Sequence, residues 1–380
     1  MKYSQIEMEK QEQDWSDFRF NLQELAGAVG DYGTLFPIIL GVAIVTELNL
    51  GHILLFFSIW YIFTGLYYKK PVPVEPMKAI GAIVIAGQFT QNEIAATGIV
   101  LGIFFLVMGY LGGMKIIEKK VPQSVIRGIQ LGLALILLET SFDFLTSDYL
   151  ISGLSIGIIL AFLGAKRIKA IPDISSLVVL AIGLGIGIMN YGMPSPEMLA
   201  SPSLFLPSLD DFLTGSWFLV IPQIPLTITN SILATSVLMH DLLREKLDPD
   251  ELSKTVGLMN FISTPLGGFP MCHGSGGLAA QYRYGARTGG SNIISGLILL
   301  VIALFFASPA FIDILPLAIF GALLVFVAIE LGKHSIKTES YIITGLIGVL
   351  SLIFNLSVGF VTGLVLYHIL KKTSLMDKIV

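Results

Sequence analysis

Two short stretches of this chain carry polar and charged residues where their neighbours are apolar. The first reads Val74-Glu75-Pro76-Met77-Lys78-Ala79-Ile80-Gly81, the second Gly268-Phe269-Pro270-Met271-Cys272-His273-Gly274-Ser275, followed by Gly276 and Gly277. Lys78 supplies a positive charge. The glycines let backbone N–H groups come close to a ligand, and the Ser275 hydroxyl can donate a hydrogen bond. If each stretch opens a helix, its N-terminus adds roughly half a positive charge and unpaired N–H groups, which is the chemistry of an anion site. Plainer readings compete at each position. Lys78 can snorkel toward Lys69 and Lys70 or pair with Glu75, His273 can be a packed neutral side chain, and the glycine run can serve close helix packing.

A second constellation spans Glu24 to Pro37 (ELAGAVGDYGTLFP) and Pro222 to Ser231 (PQIPLTITNS). Both put polar residues and prolines inside apolar runs. Ionisable groups at membrane depth are costly and usually face a bundle interior or a transport path. Asp31, beside Tyr32, is the leading candidate of this kind, with Glu24 nearer the cytoplasmic end. A structural acceptor for the neighbouring segment, or a partner for Lys78, is the competing role for Asp31. Gln223, Thr227 and Asn230 are spaced by four and three and share one helix face. They can offer neutral donors to an anion or bond between helices. Asp31 and Glu75 are titratable neighbours and so candidates for coupling to protons. The sequence holds no metal-ligand cluster, no nucleotide-binding glycine loop after a strand and no nucleophile–base pair. It calls for no cofactor, gives no sign of an enzyme and excludes an ATP-driven pump within this chain.

The elements that must position these residues belong to a membrane protein. Of 380 residues, 54% are hydrophobic and 13% charged, against about 25% charged in soluble domains, and the mean hydropathy is +0.80. A spanning helix needs about 20 mostly apolar residues. Such runs lie near 22–43, 51–68, 95–113, 122–140, 150–166, 174–190, 214–240, 251–266, 288–307, 309–328, 338–354 and 356–371. With the interrupted stretches near 71–88 and 267–287 they make about fourteen passages. Lys and Arg follow the even-numbered passages, among them Lys69, Lys70, Lys115, Lys119, Lys120, Arg244, Lys371 and Lys372. The odd loops 44–50, 141–149 and 191–213 have none. By the positive-inside rule both termini face the cytoplasm of a multi-pass plasma-membrane protein. Residues 1–20 are charged throughout and read as a cytoplasmic leader. No basic patch with interleaved aromatics supports nucleic-acid binding.

The Pro- and Ser-rich loop 191–213, outside the membrane, divides the chain into halves at 21–190 and 214–380. The interrupted stretch is the third passage of each half, and both contain Pro-Met. An odd number of passages per half runs the second half inverted through the bilayer. Broken segments at matching positions then point to the substrate site. Pro71-Val72-Pro73-Val74-Glu75-Pro76 cannot be helical, because proline removes the N–H and biases its predecessor toward extended backbone. The expected architecture is all-α with a seven-plus-seven inverted repeat. Two short strands cross at mid-membrane and lead into half-helices starting near Met77 and His273.

The segments ELAGAVGDYGTLFPI, PVPVEPMKAI and PMCHGSGGLAAQYRYGARTGGS resemble the molybdate transporter family, a branch related to the sulfate permeases, over about residues 20–370. The resemblance implies a core and a gate domain, and uptake of an oxyanion, molybdate first and sulfate as the related substrate. It places the anion between the half-helices at Met77 and His273, flanked by Asp31, Tyr32, Gln223, Thr227 and Asn230, with Lys78, Gly274, Ser275 and Gly276 at the helix starts. Sulfate permeases often form homodimers and carry a C-terminal STAS domain. This chain ends within about ten residues of its last span, so that domain, and any dimerisation resting on it, does not carry over. The activity expected is secondary active transport by alternating access in the lipid bilayer. A sulfate transporter of the same fold, an uncoupled anion channel and a nucleobase transporter remain as alternatives.

Overall fold

A computed structural model of the chain describes residues 18–87, 89–114, 122–168 and 174–372. Most of the expected leader, and the basic residues Lys115, Lys119 and Lys120, lie outside the described residues. The first half holds α1 (Leu22–Ala28), α2 (Tyr32–Val45), α3 (Leu50–Tyr68), β1 (Glu75–Pro76), α4 (Lys78–Ala86), α5 (Gln91–Tyr110), α6 (Gln123–Leu145), α7 (Tyr149–Ile168) and α8 (Ser175–Tyr191). The second holds α9 (Leu209–Leu243), α10 (Pro249–Ser263), β2 (Met271–Cys272), α11 (Ser275–Tyr284), α12 (Gly289–Phe305), α13 (Pro309–Asp313), α14 (Leu317–Ser335), α15 (Tyr341–Ile353) and α16 (Leu356–Lys372). Among the described residues, α1–α2, α3, α5, α6 and α9 are each long and apolar enough to cross a bilayer.

Local chemistry sets the boundaries. Asn49 starts α3 by accepting from the N–H groups of Gly51 and His52. Thr90 and Glu93 close a reciprocal capping box on α5, and Ser208 and Asp211 do the same on α9. Asp248 caps α10 just ahead of Pro249, whose missing N–H costs nothing at a first helical position. Helix α9 holds Pro222 and Pro225, and it accommodates them with π-helical turns over Ser216–Val220 and Thr227–Leu233. Such turns are rare and recur at functional sites. Their presence inside α9 is not written in its hydrophobic pattern.

Packing shows the two-fold relation of the halves. Helix α3 lies against α12, α10 against α5, and α6 against α14. Exchanging the halves by their order maps the first pair onto the second and the third onto itself. The strands agree. β1 pairs with β2 antiparallel, Glu75 opposite Cys272 and Pro76 opposite Met271, and the Met77 N–H donates to the Pro270 carbonyl (2.9 Å). The two Pro-Met steps therefore meet at one point from opposite directions, as expected of an inverted repeat. The half-helices begin one and two residues later than expected, at Lys78 and Ser275. Helices α11 and α12 meet at an elbow of 100°.

Candidate functional site

Each strand delivers its polar residues to the start of a half-helix, but the two starts differ. In α4 the Gln223 side-chain oxygen accepts from the N–H groups of Ala79 (3.1 Å) and Ile80 (3.3 Å), and the Gln223 amide donates to Thr227 (2.7 Å). Met77, Gln223 and Thr227 are all buried. The N-terminus of α4 is thus sealed by α9. In α11 the residue before the helix, Gly274, makes no side-chain cap. Ser275 is half-buried and Gly276 is exposed. A cleft of about 430 Å³ is lined by Thr229, Leu233, Ala234, Val237, Leu238 and Asp241 of α9 together with Ser275. The open helix start is the one at Ser275.

Charge gathers at that opening. Lys78 Nζ lies 2.5 Å from Glu75 Oε2, with 32% of the Lys78 side chain exposed and 1% of the Glu75 side chain. The ammonium also reaches α11, because a methyl built on Gly276 would lie 3.9 Å from Nζ. Asp31, at the break between α1 and α2, accepts from the Thr34 hydroxyl (2.6 Å) and the Tyr61 hydroxyl (3.4 Å). A methyl on Gly277 would come within 2.6 Å of Asp31 Oδ2 and would also overlap Glu75 Oε1. The two buried carboxylates therefore face each other across this glycine, and no larger residue fits between them. Glu75 Oε1 has no hydrogen-bond partner among the described residues. An unmatched buried carboxylate oxygen is costly and usually marks a site that something else completes.

Several residues expected at the site are held elsewhere. His273 is fully buried, with Nε2 2.7 Å from the Thr255 hydroxyl and Nδ1 2.9 Å from the Pro73 carbonyl. It props the crossing strands, which is the competing role the sequence left open. The Tyr32 hydroxyl donates to the Ser295 carbonyl (3.1 Å) and pins α2 to α12. Asn230 is half-buried on α9. The structure thus brings Asp31, Glu75, Lys78, Gly274, Ser275 and Gly276 together and ties Tyr32, Met77, Gln223, Thr227 and His273 into the scaffold around them. Thr34 and Tyr61 were missed. Thr34 carries a signal, lying three residues after Asp31, whereas Tyr61 is one aromatic in the apolar run of α3. Cys272 also sits here, buried, accepting a hydrogen bond from Ser231 at 3.1 Å.

Broken segments meeting at mid-membrane from opposite directions, with one open helix start beside a cation, define a multi-pass membrane transporter of the inverted-repeat class. A family profile described as "Molybdate transporter of MFS superfamily" matches at residues 23–137 and 215–331. "Molybdate transporter 2" of Arabidopsis thaliana is 33% identical over 93% of this chain and 88% of its own length. The chain belongs to that molybdate transporter family. In fold it is similar to the transmembrane domain of the cyanobacterial bicarbonate transporter BicA, with a TM-score of 0.67 at 18% identity over 91% of this chain and 99% of that one. It is also similar to the murine anion transporter Slc26a9 in its inward-facing state, with a TM-score of 0.70 at 14% identity over 93% and 69% of the two chains. The profile's description invokes the MFS superfamily, whose halves repeat in parallel. The antiparallel meeting of β1 and β2 is an inverted arrangement, and the fold similarity is to BicA and Slc26a9.

Proposed function

We propose that this protein is a secondary active transporter that takes up molybdate by alternating access, with the dianion seated at the N-terminus of α11. The observation that carries the reading is the open helix start at Ser275, on the wall of a cleft, with Lys78 Nζ beside it. Bringing a bare dianion into low dielectric is very costly. A helix N-terminus, an ammonium and a serine hydroxyl lower that cost. Sulfate is the second reading, because it presents the same charge and tetrahedral shape to the same donors. The roles of Asp31, Glu75, Lys78, Ser275 and Gly276 belong to this proposal, with Gly274 shaping the turn.

The charges also support coupling to protons. Asp31 and Glu75 together outnumber the one ammonium, so the ionised site starts with an excess negative charge that opposes a dianion. A proton taken up by the facing carboxylates removes it, which makes proton symport the coupling we propose. In this reading the chain crosses the plasma membrane about fourteen times with both termini in the cytoplasm. The halves 21–190 and 214–380 are joined by an external linker at 191–213, and residues 1–20 form a cytoplasmic leader. The protein is a transporter and not an enzyme, and a homodimer belongs to this proposal only through the family resemblance and not through a STAS domain.

The deciding experiment is uptake of labelled molybdate by the purified protein in proteoliposomes, with sulfate and tungstate as competitors. Accumulation against the molybdate gradient supports a coupled transporter, and simple equilibration makes the protein a channel. Competition by uracil but not by tungstate would move the reading to a nucleobase carrier. Uptake that stays flat as the pH gradient is varied removes proton coupling.

A further inference from the structure

Helix α1 runs antiparallel along α11, and the contacts between them form a closely packed seam. At its far end Asp31 meets Gly277. Next, a methyl on Gly30 would lie 2.9 Å from the Tyr284 ring and 3.1 Å from the Ala280 carbonyl oxygen. One on Gly27 would lie 2.5 Å from the Ala286 backbone nitrogen. The near end closes on Glu24, whose Oε1 accepts from the N–H groups of Arg287 (3.1 Å) and Thr288 (3.0 Å), at the elbow between α11 and α12. The elbow is itself braced. The Arg287 guanidinium lies 3.7 Å over the Tyr282 ring and donates to the Tyr282 and Ala286 carbonyls at 2.7 Å. Glu24 is buried, and its Oε2 has no hydrogen-bond partner among the described residues.

The site uses both members of this seam. Asp31 ends the break after α1, and Ser275 opens α11. Any slip of α1 along α11 changes the distance between the facing carboxylates and the anion donors. From this geometry we infer that Glu24, remote from the cleft, is a positioning residue for anion binding. Its Oε1 fixes the register of α1 on α11 and thereby the spacing of Asp31, Glu75 and Ser275. The inference rests on the anion site proposed above. What Glu24 contributes is acceptor geometry at the elbow, so a neutral side chain with the same oxygen serves as well.

The test uses the full chain in proteoliposomes with labelled molybdate and three variants. Glu24→Gln keeps the acceptor, Glu24→Ala removes it, and Gly27→Ala pushes the seam apart with Glu24 intact. Glu24→Gln is expected to hold KM within about twofold of wild type. The other two raise KM about tenfold, Glu24→Ala because two backbone N–H groups lose their acceptor at about 0.5–1.5 kcal/mol each and Gly27→Ala because the seam is forced apart, with a smaller change in maximal rate per transporter. A merely structural role lowers the yield of folded protein and leaves the KM of the surviving protein alone. Cys272, the only cysteine, gives a readout independent of substrate. Its labelling by a small maleimide is expected to speed up several-fold in Glu24→Ala and Gly27→Ala and not in Glu24→Gln. Unchanged KM and labelling in both seam variants would overturn the inference, as would a Glu24→Gln variant as impaired as Glu24→Ala. If Glu24→Ala fails to fold, Gly27→Ala and Glu24→Gln decide. Absence of molybdate uptake by wild type overturns the substrate reading instead, and the labelling result still tests the seam.

Discussion

Helices α4 and α11 are both preceded by a Pro-Met step and differ in what covers their first turns. Both follow a Pro-Met step and a two-residue strand. The Gln223 side chain closes α4, while Ser275 and Gly276 leave α11 open to the cleft. What α4 contributes to the opening is a side chain, Lys78, reaching across from its first residue. An inverted repeat therefore does not give two equal half-sites. One broken helix offers its backbone and the other sends its charge over, so in the site proposed above the anion would meet both without needing both helix ends.

The comparison can be broken at several points. Lys78→Gln should have the largest effect. The Lys78 ammonium would meet the dianion charge to charge, at the upper end of the about 1.5–3 kcal/mol of a hydrogen bond to a charged group. Molybdate uptake should fall about 100-fold, measured as initial rate per folded transporter. Ser275→Ala comes next. Losing a hydrogen bond to a charged group costs about 1.5–3 kcal/mol, so KM should rise at least about tenfold with the fold intact by thermal melting. Gln223→Ala should do the reverse. Loss of a helix cap costs about 1 kcal/mol of stability, seen as a lower melting temperature with KM nearly unchanged. If Gln223→Ala weakens molybdate binding more than Ser275→Ala, the anion sits at α4 and the asymmetry drawn here is wrong. Smallest of the four is Thr229→Val on the cleft wall, expected to shift KM by less than about fivefold because a neutral hydrogen bond nets about 1 kcal/mol.

Particular residues show how far the sequence could be read. Pro71 to Pro76 announced an extended segment, since no helix tolerates that run, and the repeated Pro-Met step marked its partner. Lys78 and Ser275 stood out as polar residues at predicted helix starts. Gln223 was placed on the correct face by its spacing to Thr227. Periodicity along one helix does not say what lies opposite, and what lies opposite is the start of α4. The meeting of Asp31 and Glu75 was legible only as two titratable neighbours. It depends on Gly277, and a missing side chain carries no periodic signal. The two readings of His273 could not be separated until Pro73 and Thr255 appeared on either side of its ring.

The pairing of β1 with β2 has a consequence for biosynthesis. The backbone groups of Glu75 and Met77 find their partners on Pro270 to Cys272, and those partners are made about 195 residues later, roughly 10–40 s at ordinary elongation rates. For that interval the first crossover must wait in the translocation machinery or in a water-lined pocket, because unpaired backbone does not persist in lipid. The first half is then an obligate intermediate rather than an independent unit.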